Sequence, residues 1–151
     1  MFDPKEALDV AIYIAAKYHK GQRDKGDEPY ILHPLRVMMG LSIHDYELMA
    51  IAVLHDVVED TEYTLQMLKY RGFSNRVVAG VDALSIRDNE KRDDYLERVK
   101  VNADAVRIKI QDLRDNTNIM RLLDIEDRDI RRLKMYHKTH MELKELVCES
   151  S

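Results

Sequence analysis

Cysteine is nearly absent from this chain: Cys148, close to the carboxyl end, is the only one in 151 residues. A lone thiol can close no internal disulfide and build no cysteine metal cluster. Any metal is left to histidine and carboxylate ligands, a donor set that suits Mn²⁺, Fe²⁺, Zn²⁺ or Mg²⁺. Long apolar runs are missing too. No stretch approaches the roughly 18 residues of a membrane span, and Met1-Phe2-Asp3-Pro4-Lys5-Glu6 lacks the basic start and apolar core of a signal peptide. The expectation is a cytoplasmic protein with no membrane partner. A surplus of positive charge is also lacking, since 24 Lys and Arg against 28 Asp and Glu leave a formal charge of −4. That balance argues against nucleic acid as a partner, while leaving room for local basic patches that suit a phosphorylated small molecule. Internal repeats and low-complexity tracts do not occur.

What is present is a globular balance, 45% apolar and 34% charged, in a length that fits one domain spanning residues 1–151. The apolar pattern is helical almost throughout. Asp3-Pro4 opens a stripe of Ala7, Leu8, Ala11, Ile12 and Ala15 that should last to about Lys20. A charged, glycine-flanked loop, 21–29, separates it from a helix that begins at His33-Pro34. Asp45 caps a third helix, Thr64 to Tyr70 form a fourth that stops at Gly72, and Ser74 caps a fifth. Ile86 to Asp94 reads as a mobile surface loop and Tyr95 to Val101 as a short helix. A longer helical segment runs from about Ala103 to Leu123 and a last helix from Asp127 to Leu146. The alternation of Val106, Ile108 and Ile110 imitates a strand, but no second strand-like run exists to pair with it. The fold class is all-α, a single-domain bundle of about seven or eight helices.

The run Leu54-His55-Asp56-Val57-Val58-Glu59-Asp60 places two metal-type ligands and two acid/base-type carboxylates on one segment. On a continuous helix His55 would stack over Glu59 and Asp56 over Asp60. Such a face is unfavourable unless a cation occupies it or it is solvated at a helix end. In a bundle, the remaining ligands must project from other helices. Among the other histidines His33 stands out, because it starts a helix directly after the charged loop. Among the acids Asp112 stands out, lying between Ile110 and Leu113, where an ion pair with Lys109 or Arg114 explains it as well as a ligand role does.

Three blocks, Tyr30-Ile31-Leu32-His33-Pro34, Leu54 to Thr61, and Lys109-Ile110-Gln111-Asp112-Leu113-Arg114-Asp115-Asn116, resemble those of the HD-domain hydrolases. Within them the chain is most similar to the RelA/SpoT hydrolase domain and the stand-alone small alarmone hydrolases, with support from His19-Lys20-Gly21-Gln22 and Gly80 to Ser85. The resemblance implies the HD-domain fold. It also implies one divalent ion, Mn²⁺, on His33, His55, Asp56 and Asp112, with Glu59 and Asp60 activating and positioning water. The implied reaction removes the 3′-pyrophosphate of guanosine tetra- or pentaphosphate. For substrate contacts the resemblance points to Lys25, Asn116, Arg132 and Tyr136.

Two positions depart from the family. Asp24 stands where an arginine that helps hold the base is usual, with Arg23 one place earlier as a candidate replacement. Asp115 stands where His or Tyr is usual, bringing another negative charge near the phosphates. Base recognition is therefore open: an adenosine alarmone, the 2′-phosphate of NADPH or another phosphorylated nucleotide is the alternative substrate. A catalytically idle nucleotide-binding module is the alternative of another class. The sequence leaves a homo-oligomer open.

Overall fold

The computed structural model describes residues 1–149. They form eight helices of two turns or more and one single-turn helix: α1 (Pro4–Tyr18), α2 (Leu32–Met39), α3 (Tyr46–Leu54), α4 (Val57–Asp60), α5 (Leu65–Arg71), α6 (Asn75–Leu84), α7 (Arg92–Lys100), α8 (Ala103–Asn116) and α9 (Asp127–Glu149). A 3-10 turn, Ile119–Arg121, lies between α8 and α9. The all-α expectation holds, and among the described residues the only strand-like pairing is an isolated bridge between Arg23 and Pro29. Among them, too, no helix is long and apolar enough to cross a membrane.

The helices start where polar side chains take their first amides. Asp3 accepts from the amides of Lys5 and Glu6, Asp45 from Glu47 and Leu48, Thr64 from Met67, Ser74 from Val77 and Asn102 from Ala105. Each such cap contributes about 1 kcal/mol. Gly72, at φ 112°, ends α5 in the left-handed region that glycine enters without steric cost.

α3 is the hub. Leu48 and Ala50 through Leu54 are all buried, so this helix is apolar all round, and α1, α2, α6 and α8 pack about it. Burying each large side chain such as Ile51 or Leu54 contributes about 1.5–3 kcal/mol. That packing fixes the end of α3, where His55 follows, against the start of α2 and the second half of α8.

Three boundaries differ from the sequence expectation. The helix does not run through the 54–60 segment: α3 stops at Leu54 and α4 begins at Val57, with Asp56 at φ −103°, ψ −5°. The cause is a side chain. His55 Nδ1 lies 2.7 Å from the carbonyl oxygen of Ala52, the acceptor that a continuing helix would offer to the amide of Asp56. The segment after Ala103 breaks at Thr117, where Asn118 turns its side chain onto the amide of Met120, leaving Met120 and Leu123 exposed. α7 begins at Arg92, three residues before Tyr95, and the preceding turn is tied down by Arg98 as described below.

Candidate metal centre

Two helices and the α3–α4 junction bring four side chains together. His33 enters from the first turn of α2, His55 and Asp56 from the junction, and Asp112 from α8. His33 Nε2 lies 3.0 Å from Asp112 Oδ1 and 3.4 Å from Asp56 Oδ2; His55 Nε2 lies 3.0 Å from Asp56 Oδ2 and 3.5 Å from Asp112 Oδ1. A divalent ion held at about 2.0–2.2 Å spaces neighbouring ligands roughly 3.0–3.5 Å apart, so these separations fit one. His33, His55 and Asp112 are all buried.

The hydrogen bonds on the far side of each ring agree. His33 Nδ1 lies 2.6 Å from Asp115 Oδ2 and His55 Nδ1 2.7 Å from the Ala52 carbonyl. Both partners only accept, so each Nδ1 carries a proton and each Nε2 can turn a lone pair inward. Nε2 of His55 is buried without a hydrogen bond, an orphan that a metal ion would satisfy. Electrostatics point the same way. Burial alone would lower both imidazoles, but the surrounding carboxylates outweigh it and push His33 to about 11 and His55 to about 10. The cluster attracts positive charge, for which protons and a divalent cation compete.

Asp112 divides its oxygens. Oδ1 faces the histidines and accepts from Asn116 Nδ2 at 2.8 Å, while Oδ2 accepts from Lys109 Nζ at 2.7 Å. The ion pair with Lys109 expected from the sequence is thus present, and the other oxygen faces the two histidines. Asp56 takes a hydrogen bond from the Tyr30 hydroxyl at 2.5 Å, and that hydroxyl also lies 3.4 Å from Asp60 Oδ2. Tyr30 opens the first of the three blocks, but the sequence reading gave it no role at the site.

Glu59 and Asp60 stand beside Asp56, with carboxylate oxygens of all three within 4.8 Å of one another. Burial raises Glu59, and the charges of Asp56 and Asp60 add to it; burial also raises Asp60, with Asp56 adding. Glu59 is held by the amide of Ile86 at 2.8 Å. The peptide oxygen of Asp60 accepts from Gln22 Nε2 at 3.0 Å, and Gln22 in turn holds the buried His19, whose Nδ1 lies 2.7 Å from its side-chain oxygen.

A cavity of about 380 Å³ opens onto His33 and is lined by Arg23, Lys25, Tyr30, Asn116, Arg121 and Tyr136 among others. Four of the five expected substrate contacts thus meet there: Arg23, Lys25, Asn116 and Tyr136. Arg132 does not line it and lies 3.6 Å from Asp129. Arg92 instead reaches over the Tyr136 ring, 5.8 Å from its centroid. Arg121 was missed. Its signal was indirect, in that two acids placed where the family carries neither require a counter-cation nearby.

Residues 11–133 match the HD domain family. The chain belongs to it. This HD domain is 34% identical over 134 residues to a GTP pyrophosphokinase of Streptomyces coelicolor, an alignment covering 81% of this chain and 16% of that protein. It is 32% identical over 131 residues to the bifunctional (p)ppGpp synthase/hydrolase SpoT of Escherichia coli, covering 80% of this chain and 18% of that one. A guanosine-3′,5′-bis(diphosphate) 3′-pyrophosphohydrolase of Aquifex aeolicus is 32% identical over 125 residues, covering 76% and 18%. The chain spans less than a fifth of the length of these curated relatives. Among solved structures, that of a metazoan ortholog of SpoT, described as hydrolysing ppGpp, superposes with a TM-score of 0.77 at 21% identity, covering 100% of this chain and 99% of its own. The HD-domain fold expected from the three blocks is the fold observed.

Proposed function

We propose that this HD domain is a hydrolase that removes the 3′-pyrophosphate of guanosine tetra- and pentaphosphate, giving GDP or GTP and pyrophosphate. The observation that carries the reading is the meeting of His33, His55, Asp56 and Asp112 beside an acidic pair and a cavity walled by Arg23 and Lys25. The activities for which the SpoT-type relatives are named support the substrate. We take residues 1–151 as one hydrolase domain, acting in the cytoplasm, with Mn²⁺ as its ion.

The four ligands leave coordination positions open, so a divalent ion held there would lower the pKa of water and neutralise phosphoryl charge. The residues supply the rest. Glu59, its pKa raised by burial, takes the proton of the attacking water. The Ile86 amide keeps one of its oxygens fixed, leaving the other to the water. Asp60, tied through Tyr30 to Asp56, orients that water. The new bond joins the water oxygen to phosphorus, the bond from that phosphorus to the 3′ oxygen breaks, and the proton taken by Glu59 passes on to the 3′ oxygen, which leaves as a hydroxyl. Arg23 and Lys25 meet the phosphates, Asn116 steadies Asp112, and Tyr136 offers a face to the nucleoside; Arg132 reaches the phosphates only by leaving Asp129.

The test is product analysis with Mn²⁺ on a panel of guanosine tetraphosphate, an adenosine alarmone and NADPH. Release of GDP and pyrophosphate from the first, abolished in Glu59→Gln while one metal per chain remains, is the expected result. Turnover confined to another nucleotide would move the substrate, and no turnover at high enzyme concentration would leave only a binding module. His55→Ala should lose the metal; if its stoichiometry survives, the ligands are wrongly assigned.

A further inference from the structure

Asp24 and Asp115 lie 91 residues apart in sequence, yet both end on one guanidinium. Arg121, in the 3-10 turn after α8, places Nη2 2.6 Å from Asp24 Oδ2 and Nη1 2.6 Å from Asp115 Oδ2, with Nη1 also 3.1 Å from the Asp115 carbonyl. Asp24 spends its other oxygen inside the loop, accepting from the amides of Gly26 at 2.8 Å and Glu28 at 3.0 Å. Although Asp24 lines the cavity, its oxygens are engaged by Arg121 and the loop amides, so it braces the loop. Asp115 spends its Oδ2 on His33 Nδ1 as well. The loop also sits tightly on the turn, because a β-carbon at Gly26 would collide with the Arg121 carbonyl. Arg36 supports Asp115 from the opposite side, at 2.7 Å, but stays 4.0 Å from Asp24. Arg121 is the residue that spans both.

We infer that Arg121 is a positioning residue that couples the charged loop to the metal centre: one guanidinium seats the loop bearing Arg23 and Lys25 and, through Asp115, holds the His33 ring in register. The inference rests on the reading of the four-residue cluster as a metal site. An arginine suits the task because its planar fork can serve two carboxylates at once, whereas a lysine ammonium is a point charge on a flexible stem. Groups that orient a metal-binding histidine typically change metal affinity about ten- to a hundredfold when removed. Arg121 acts one step further out and Arg36 backs Asp115, so the expected change is about tenfold.

The test measures Mn²⁺ affinity by calorimetry and amide exchange at Gly26 and Glu28. In Arg121→Gln, Mn²⁺ should bind about tenfold more weakly and both amides should exchange faster, although residue 121 touches no ligand atom. Gly26→Ala, which removes no charge, should weaken Mn²⁺ binding in the same direction by pushing the turn off the loop. Arg121→Lys should not restore both readouts. Unchanged Mn²⁺ affinity in Arg121→Gln, or in Gly26→Ala if the first variant does not fold, overturns the coupling while the metal-site reading stands. If the unaltered protein binds no Mn²⁺, both readings fall together.

Discussion

Lys109 Nζ lies 2.7 Å from Asp112 Oδ2, a largely buried ion pair one turn apart on α8 whose cation backs the carboxylate facing His33 and His55. Burial opposes the charged lysine, but Asp112 more than offsets it and holds the ammonium far above its ordinary range. Asp112 is correspondingly held well below the usual carboxylate range. Removing one member of a buried pair costs about 3–5 kcal/mol where the other is left uncompensated, and because His33 and His55 still face Asp112 the lower end applies. Lys109→Met should therefore lower the unfolding free energy of the metal-free protein by about 3 kcal/mol. A divalent ion can take over the neutralisation, so Mn²⁺ should raise the melting temperature of the variant more than that of the parent. Calorimetric scans with and without Mn²⁺ read both effects, and an equal metal-induced shift would show that Lys109 does not share charge with the site.

How far the sequence reaches depends on how local the cause is. The starts of α1, α3 and α6 were legible because Asp3, Asp45 and Ser74 act on amides two or three residues away. The stop of α3 was not, because it turns on where the His55 ring goes, and that is decided by packing around the site. The cluster of histidines and carboxylates was legible in residue type but not in arrangement. Periodicity marked Asp112 as a carboxylate needing a partner, and only the fold could show that it has two kinds at once. Arg121 and Tyr30 escaped because their partners lie 97 and 26 residues away and no spacing rule reaches that far. Arg132 stands apart from the cavity for the complementary reason: an i,i+4 relation to Tyr136 fixes neighbours on a helix, not which of them the cavity meets.

The turn expected to be mobile has a scaffold instead. Arg98 holds Glu90 at 2.6 and 2.7 Å and donates to the carbonyls of Asp82 and Ser85 at 2.9 and 2.8 Å. Those carbonyls fix the chain just before Ile86, whose amide meets Glu59. Arg98→Lys cannot bridge all three groups, so Glu59 loses a fixed partner while the metal ligands stay in place. Hydrolysis should fall about tenfold, the worth of one hydrogen bond to a charged group, with one metal per chain retained. Undiminished turnover would mean that the Ile86 amide does not position Glu59; loss of metal would mean that Arg98 supports the whole centre.

Stability toward acid should depend on the other end of α3. Arg76 donates to Asp104 through Nε at 2.8 Å and to Asp45 through Nη2 at 2.8 Å, and Asp45 caps the helix that leads to His55. Burial is the largest single influence on Asp45 and raises it, but Arg76 and the amides of Leu48 and Glu47 together outweigh it, so its carboxyl lies below the ordinary value of 3.8. A depressed folded pKa means that the unfolded chain takes up the proton first as pH falls. The stabilisation is therefore complete above the ordinary carboxylate value and is lost as pH drops through the lower, folded one. Because Arg76 is 40% exposed, solvent screening keeps its share to about 1 kcal/mol or less. Arg76→Gln should lower the melting temperature by about 2–4 °C at neutral pH. The gap between the two proteins should narrow below about pH 4, where protonation of Asp45 weakens the pair in the parent as well. Melting curves from pH 7 down to pH 3 would test it, and a gap that stays constant across that range would remove the Arg76 pair as the source of the acid sensitivity.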